Sequence, residues 1–259
     1  IDHQFIIKMG KAFIQQFSVF DSTLFDPSVR KSGPWGKSIV LLRGVAMILL
    51  GLAAGLRASE VGKLTVCCWQ SRLLESVYVH VKLAKNGRNG EESGAYLFRD
   101  TGSFEANMSA ISFFEEFWFP FLKSQGVRQS SLCTHTRFPA SHCQYCPPLF
   151  PTWPNSNKGS TRAVTPSEVT SVVKQWARLI GLDPSQYSAI SFRRGSVSLA
   201  AAAKVCRNIR QKHIRWKTED MQDTYTEASV EEMLEFGKAL QQTVRKSMQC
   251  QGKTVTFRS

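Results

Sequence analysis

Residues 191–195, Ser191-Phe192-Arg193-Arg194-Gly195, decide how this chain is read. Two adjacent arginines open a segment that runs on through small residues to Ala200–Ala203, the composition of a helix packed closely on a neighbour. The backbone amides of a helix N-terminus attract anions, and a guanidinium fork matches a phosphate. Outward from there, Tyr225 lies 32 residues beyond Arg193 and nine beyond Trp216. Far upstream, Gly55-Leu56-Arg57-Ala58-Ser59-Glu60 sets another arginine at a corner just past a long apolar stretch. Glu60, one turn on, is placed to pin the Arg57 guanidinium while its free edge grips an anion oxygen. Two guanidiniums and a phenol can hold a phosphodiester, offset its developing charge and attack its phosphorus without a metal.

The chain has 259 residues, enough for one large domain or two small ones, and its 42% hydrophobic content is that of an ordinary globular protein. Thirty-three Lys and Arg against 20 Asp and Glu give a net charge of +13, which favours a polyanionic partner such as a nucleic acid. Seven cysteines, an odd number scattered over a long chain, argue against a secreted disulfide framework and for a reducing, intracellular compartment. The chain opens at Ile1 with no signal peptide, as a piece of a longer protein would. The stretch Ile39–Leu56 is interrupted by Arg43, and its uncharged part, Gly44–Leu56, is too short to cross ~30 Å of hydrocarbon. A buried core helix is expected, and no membrane partner.

Periodicity supplies the rest of the outline. Phe5, Ile6, Met9, Phe13, Phe17 and Phe20 form a helical stripe, and Pro27–Gly36 reads as a connection. Lys63–Trp69 reads as a strand. In Ser76–Leu83, Val77, Val79 and Val81 alternate with Tyr78, His80 and Lys82, the period of a half-buried strand. A Gly-rich turn, Asn86–Gly94, leads to a partner strand at Ala95–Phe98. Ser103–Ser124 reads as an aromatic-rich helix bent or shortened by Pro120. Thr165-Pro166-Ser167-Glu168 starts a helix with a capping box, and Gly181 stops it. Further helices are expected at Ser191–Lys204, Asn208–His213, Thr218–Tyr225 and, on an amphipathic pattern, Val230–Val244. The total is mainly α with a small antiparallel β-sheet.

In order and local wording, Arg57, Arg193, Trp216 and Tyr225 resemble the catalytic domain of the tyrosine recombinase (phage integrase) family, over roughly residues 38–245. The resemblance implies that fold, with 1–37 as an N-terminal helix and connection, the remnant of a linker to a missing DNA-clamping domain. Residues 38–245 become the catalytic domain, with a Cys/His-rich insertion at 126–163, and 246–259 a tail. It implies an enzyme that breaks and rejoins double-stranded DNA to recombine or integrate a mobile element, in the nucleus or a bacterial cytoplasm. Tyr225 becomes the nucleophile, forming a 3′-phosphotyrosyl bond and releasing a 5′-hydroxyl, so that rejoining needs no cofactor. Lys85, with Lys82 as runner-up, becomes the general acid on a β-hairpin, and Trp216 offers its indole N–H to the phosphate. A homotetramer on paired sites is implied, with the terminal helix, residues 230–244, docked on a neighbouring protomer.

One position departs from the family pattern. Where a histidine usually stands three residues before the second arginine, this chain has Ile190. Ser188, Ser191 and His213 are the candidates to compensate through water. Loss of one acid–base group costs ~10²–10⁴ in rate, so a catalytically degenerate DNA-binding descendant is the alternative reading.

Arg194, Lys204, Arg207, Arg210, Lys212, Arg215 and Lys217 form a run dense enough for a surface that contacts DNA phosphates. In the insertion, Cys133, His135, Cys143 and Cys146 have the spacing of a closed structural zinc site, with His142 an alternative to His135. A reduced loop without metal is the other reading. Cys67, Cys68 and Cys206, beside apolar segments, read as core thiols.

Overall fold

The computed structural model describes residues 1–17, 33–73, 76–81, 94–100, 102–133, 143, 145–152, 162–215 and 230–252. Helix α1 (His3–Phe17) buries Phe5, Ile6, Met9 and Phe13 on the expected stripe. Helix α2 (Gly33–Ala53) is the apolar segment, and Leu42, Val45, Ala46, Ile48, Leu49 and Leu50 bury it on all sides. A helix apolar all round belongs at the centre of a core. Arg43, its one interior charge, is buried too, and Nη1 donates to the Pro151 carbonyl at 2.7 Å. Burial pulls the Arg43 guanidinium down to about 10. Among the described residues no helix is long and apolar enough to cross a membrane.

The short helix α3 (Ala58–Val61) follows, and the sheet comes next as β1 (Trp69–Leu73), β2 (Ser76–His80) and β3 (Gly94–Phe98), antiparallel in that order. Trp69 pairs with Val79, and Val77 and Val79 pair with Leu97 and Ala95. Two expectations fail here. Lys63–Cys68 is not a strand: it holds a 3-10 turn at Val66–Cys68, Thr65 bridges to Pro148 of the insertion, and the strand begins at Trp69. Nor is β2 half-buried, because Tyr78 packs against Tyr96 and over Gly94, where a side chain would strike its ring.

The expected helix 103–124 is divided into α4 (Phe104–Asn107), α5 (Ala110–Phe113), a π segment at Phe114–Trp118 and α6 (Phe119–Ser124). The first break is held by Asn107, whose side chain donates to Gly102 O and Ser112 Oγ and accepts from the Ser109 amide. The π segment lies just ahead of Pro120, whose missing N–H and ring bulk interrupt a regular ladder. A two-stranded ribbon, β4 (Pro151–Thr152) with β5 (Arg162–Ala163), leads to α7 (Pro166–Leu179). The Thr165–Glu168 capping box is present, and Gly181, at φ +73°, ends that helix.

Helices α8 (Ser191–Ala202), α9 (Arg207–Ile214) and α10 (Val230–Gly252) complete the described chain. The last helix, expected to dock on a neighbouring protomer, packs here against this chain's own core. Phe236 and Leu240 of α10 are buried in this chain's own core, and Phe236 stacks on His213 at 3.8 Å. Gln241 donates to Asn107 O, and Arg245 pairs with Asp100 at 2.6 Å. The apolar face of α10 is satisfied in cis, by β3, α8 and α1.

Candidate phosphate-binding site

The site begins where α2 ends. Leu56 N–H bonds to Gly51 O at 2.8 Å and Gly55 N–H to Leu52 O at 3.2 Å, a helix stop that requires Gly55 in the left-handed region, at φ +56°. The chain turns sharply and Arg57 starts α3, its backbone N–H donating to Glu60 Oε2 at 2.8 Å. Leu56 and Val61 are buried on either side, which drives the Glu60 carboxylate inward.

Helix α8 reaches the same spot through a close approach. The Phe192 ring lies where a side chain on Gly51 would have to be, so only glycine lets α8 seat this deeply on α2. The next residue is Arg193, whose side chain is 7% exposed, and its Nη2 donates to both Glu60 oxygens, at 3.1 and 3.2 Å.

A third arginine arrives from α9. Arg215 follows the last residue of that helix in a left-handed conformation, φ +59°, and the turn sends its side chain back inside, 5% exposed. Nη1 donates to Ala54 O at 3.1 Å, and Nη2 to Gly55 O and Glu60 Oε2, both at 3.3 Å. His213 Nε2 donates to Ala53 O at 2.8 Å. The carbonyls exposed at the α2 terminus are thus capped by a histidine and an arginine, and a cation suits the negative end of the helix dipole.

Electrostatics follow from this packing. Burial alone would push the Glu60 carboxyl up. Arg215, the Arg57 amide, Arg193 and the Arg57 guanidinium outweigh it and hold the group below the usual carboxylate range. Burial pulls Arg193 down against the pull of Glu60, and takes Arg215 to about 10. His213, fully enclosed, is pushed down to about 3 by burial and stays neutral. Three guanidiniums meet one carboxylate, leaving two positive charges in excess. Arg193 Nε and Nη1 and Arg215 Nε have no hydrogen-bond partner among the described residues. Arg57, 46% exposed, is the member of the set open to solvent. Unsatisfied buried donors carrying excess charge make a receptor for an anion.

Known structures of similar shape include two complexes of the XerH site-specific recombinase. One, bound to palindromic difH substrate in a post-cleavage complex, matches with a TM-score of 0.51 at 11% identity, covering 98% of this chain and 52% of that one. Another, bound to difH substrate in a pre-cleavage complex, matches at 0.51 and 13% identity, covering 91% of this chain and 52% of that one. The fold is recombinase-like. This chain spans about half the length of those chains. No protein-family model matches it, and no curated protein does.

Within this recombinase-like fold, Arg57, Glu60 and Arg193, the residues singled out upstream and downstream in the sequence, meet at one point. Lys85, Trp216, Lys217, Tyr225 and His135 lie outside the described residues. Of the basic run, Arg194, Lys204 and Arg207 are exposed and Arg210 and Lys212 half-buried. Arg215 corrects the expectation of a surface contact: it is an interior member of the arginine cluster, because the left-handed turn after α9 reverses its direction. No residue type or spacing set it apart from its neighbours in the run. Ile190 is 62% exposed in the turn before α8. Of its proposed stand-ins, Ser191 Oγ accepts from the Ser188 amide at 3.1 Å and His213 is bound to α2.

Proposed function

We propose that this chain breaks and rejoins DNA strands through a covalent 3′-phosphotyrosyl intermediate, with Arg57, Arg193 and Arg215 as the phosphate grip. The observation that carries the reading is the cluster of three arginines, two of them enclosed, on one buried carboxylate, with excess positive charge and unpartnered N–H groups. A phosphodiester supplies the missing acceptors through its non-bridging oxygens. As a nucleophile adds, charge accumulates on those oxygens, and guanidiniums already fixed by Glu60 stabilise it without reorganising.

In this reading the Tyr225 phenolate oxygen forms a bond to phosphorus while the bond from phosphorus to the 5′-oxygen breaks. Lys85, or Lys82, supplies the proton that leaves with the 5′-hydroxyl. Trp216 packs beside the phosphate and donates its indole N–H. The reverse attack by a 5′-hydroxyl restores the DNA and frees the tyrosine, so the phosphodiester bond energy is retained and no nucleotide cofactor is consumed. The XerH complexes hold difH substrate before and after cleavage, in keeping with double-stranded DNA as the partner in this reading. Pairing of two sites by a homotetramer, and an intracellular role in the movement of a mobile element, belong to the same reading.

A second reading, DNA binding without cleavage, is favoured by one observation: the position of the family's histidine is held by Ile190, 62% exposed, and His213 is tied to Ala53 O. A nicked suicide duplex carrying a candidate target separates the two. Cleavage predicts a covalent protein–DNA adduct that disappears in Tyr225→Phe. DNA binding that weakens in Arg193→Ala, with no adduct from the unaltered chain, assigns the protein to the second reading.

A further inference from the structure

Four thiols from three stretches of chain converge beneath the insertion. Cys67 comes from the 3-10 turn ahead of β1, Cys133 from the loop after α6, and Cys143 and Cys146 from a Cys-x-x-Cys step. Their Sγ atoms all lie within 4.8 Å of one another. In a tetrahedral zinc thiolate, Zn–S bonds of about 2.3 Å set the sulfurs about 3.8 Å apart. Each pair therefore needs to draw in by no more than about an ångström.

We propose that Cys67, Cys133, Cys143 and Cys146 form a closed four-cysteine zinc site that fastens the insertion to the helical body. Backbone pairing delivers the unexpected ligand. Val66 N–H bonds to Pro147 O at 3.1 Å and Leu149 N–H to Leu64 O at 2.8 Å, so the strand returning from the insertion lies alongside the turn that carries Cys67. The cluster stands apart from the main core, with Val66 the one aliphatic residue packed on it among the described residues. Thiols there contribute little apolar packing to hold an irregular loop, whereas a metal closing three chain segments contributes folding free energy directly.

Backbone N–H groups already point at two of the sulfurs. The amides of Tyr145 and Cys146 bond to Cys143 Sγ, and the Ser130 amide bonds to Cys146 Sγ. Such N–H···S contacts orient metal-bound sulfur and disperse its charge. Cys67, Cys133, Cys143 and Cys146 are all free thiols. An all-sulfur, four-ligand, tetrahedral set suits zinc, with no open position for catalysis. The fourth place expected of His135 or His142 is filled by Cys67, and no histidine is needed.

The test is metal analysis and zinc-edge X-ray absorption on the full chain, purified under reducing conditions from zinc-supplemented medium. One zinc per chain with four sulfur neighbours at about 2.3 Å is the expected result. Cys67→Ser and Cys146→Ser should each lose the zinc, and Cys206→Ser, altering an exposed thiol outside the cluster, should keep it. Three sulfurs and one nitrogen would overturn the assignment of Cys67 in favour of a histidine. A folded chain that retains no zinc, or two disulfides among the four cysteines, would overturn the site altogether. Because the absorption measurement uses the unaltered chain, it decides even where a variant fails to fold.

Discussion

Arg193 and Glu60 lie 133 residues apart, yet one guanidinium nitrogen of Arg193 donates to both oxygens of the Glu60 carboxylate, at 3.1 and 3.2 Å. Glu60 is wholly enclosed and is also the partner of Arg215 and Arg57. One buried acid thus ties α3, α8 and the end of α9 together, and its removal would leave two enclosed arginines without a counter-charge. Glu60→Gln is therefore expected to cost about 3–5 kcal/mol, the range for breaking a buried pair from one side. Arg57→Ala, at the exposed edge, should cost under ~1 kcal/mol and act on DNA binding instead. Urea denaturation of both variants checks the order; equal losses would mean that Glu60 is not the organising group.

Arg215 differs from a generic buried cation because its two terminal nitrogens serve α2 carbonyls and Glu60 at once. A lysine carries the charge on a single point and cannot span that fork. Arg215→Lys should therefore fail to restore what Arg215→Ala loses, with both variants destabilised by several kcal/mol, on the order of a broken buried pair. Recovery of the urea midpoint in the lysine variant would show that charge alone matters there.

His213 makes stability depend on pH in a definite direction. Its folded value is about 3, well below the unfolded value of about 6.5. Above that unfolded value both states are neutral and the full contribution of the buried ring is present. As pH falls, the unfolded chain takes up a proton that the folded chain refuses, and stability drops by about 1.4 kcal/mol per pH unit until the folded value is reached. His213→Gln keeps a donor for Ala53 O and cannot titrate. Its denaturation midpoint should fall less steeply between roughly pH 6 and pH 4 than that of the unaltered chain. Parallel slopes would place the acid sensitivity elsewhere.

The sequence carried the meeting of Arg57 with Arg193 because each sits in a local signature: a Gly-Leu-Arg corner with Glu60 one turn on, and an arginine pair opening a small-residue helix. The central helix and the α7 capping box were legible for the same reason, since periodicity and cap chemistry are local. Arg215 was not. Its inward direction depends on one left-handed residue after α9, which nothing in its side chain announces. Cys67 reads as a core thiol in the sequence because the cysteines beside it lie 66 to 79 residues away, brought near by pairing of Leu64–Val66 with Pro147–Leu149. The break at Asn107 and Met108 has a local cause, the Asn107 side chain bonding to Gly102 O and Ser112 Oγ in place of helix continuation, which apolar periodicity does not reveal.

The exposed basic residues should act differently from the enclosed ones. Arg194, Lys204 and Arg207 are open to solvent on α8, just after it and on α9, beside the helices that supply Arg193 and Arg215. Contacts from such groups to a duplex are phosphate contacts, worth counterion release and carrying no sequence information. Each residue that touches the backbone contributes a slope of about −0.9 in log affinity against log salt concentration. Replacing all three by alanine should weaken binding uniformly across duplex sequences and flatten that slope by up to about 2.7. Fold stability should be nearly unchanged, since surface substitutions away from packed features stay within about 0.5 kcal/mol. Fluorescence anisotropy of a labelled duplex over a salt series reads the slope, and circular dichroism the stability. An unaltered slope would remove α8 and α9 from the DNA-facing side and require another basic face to supply the contacts.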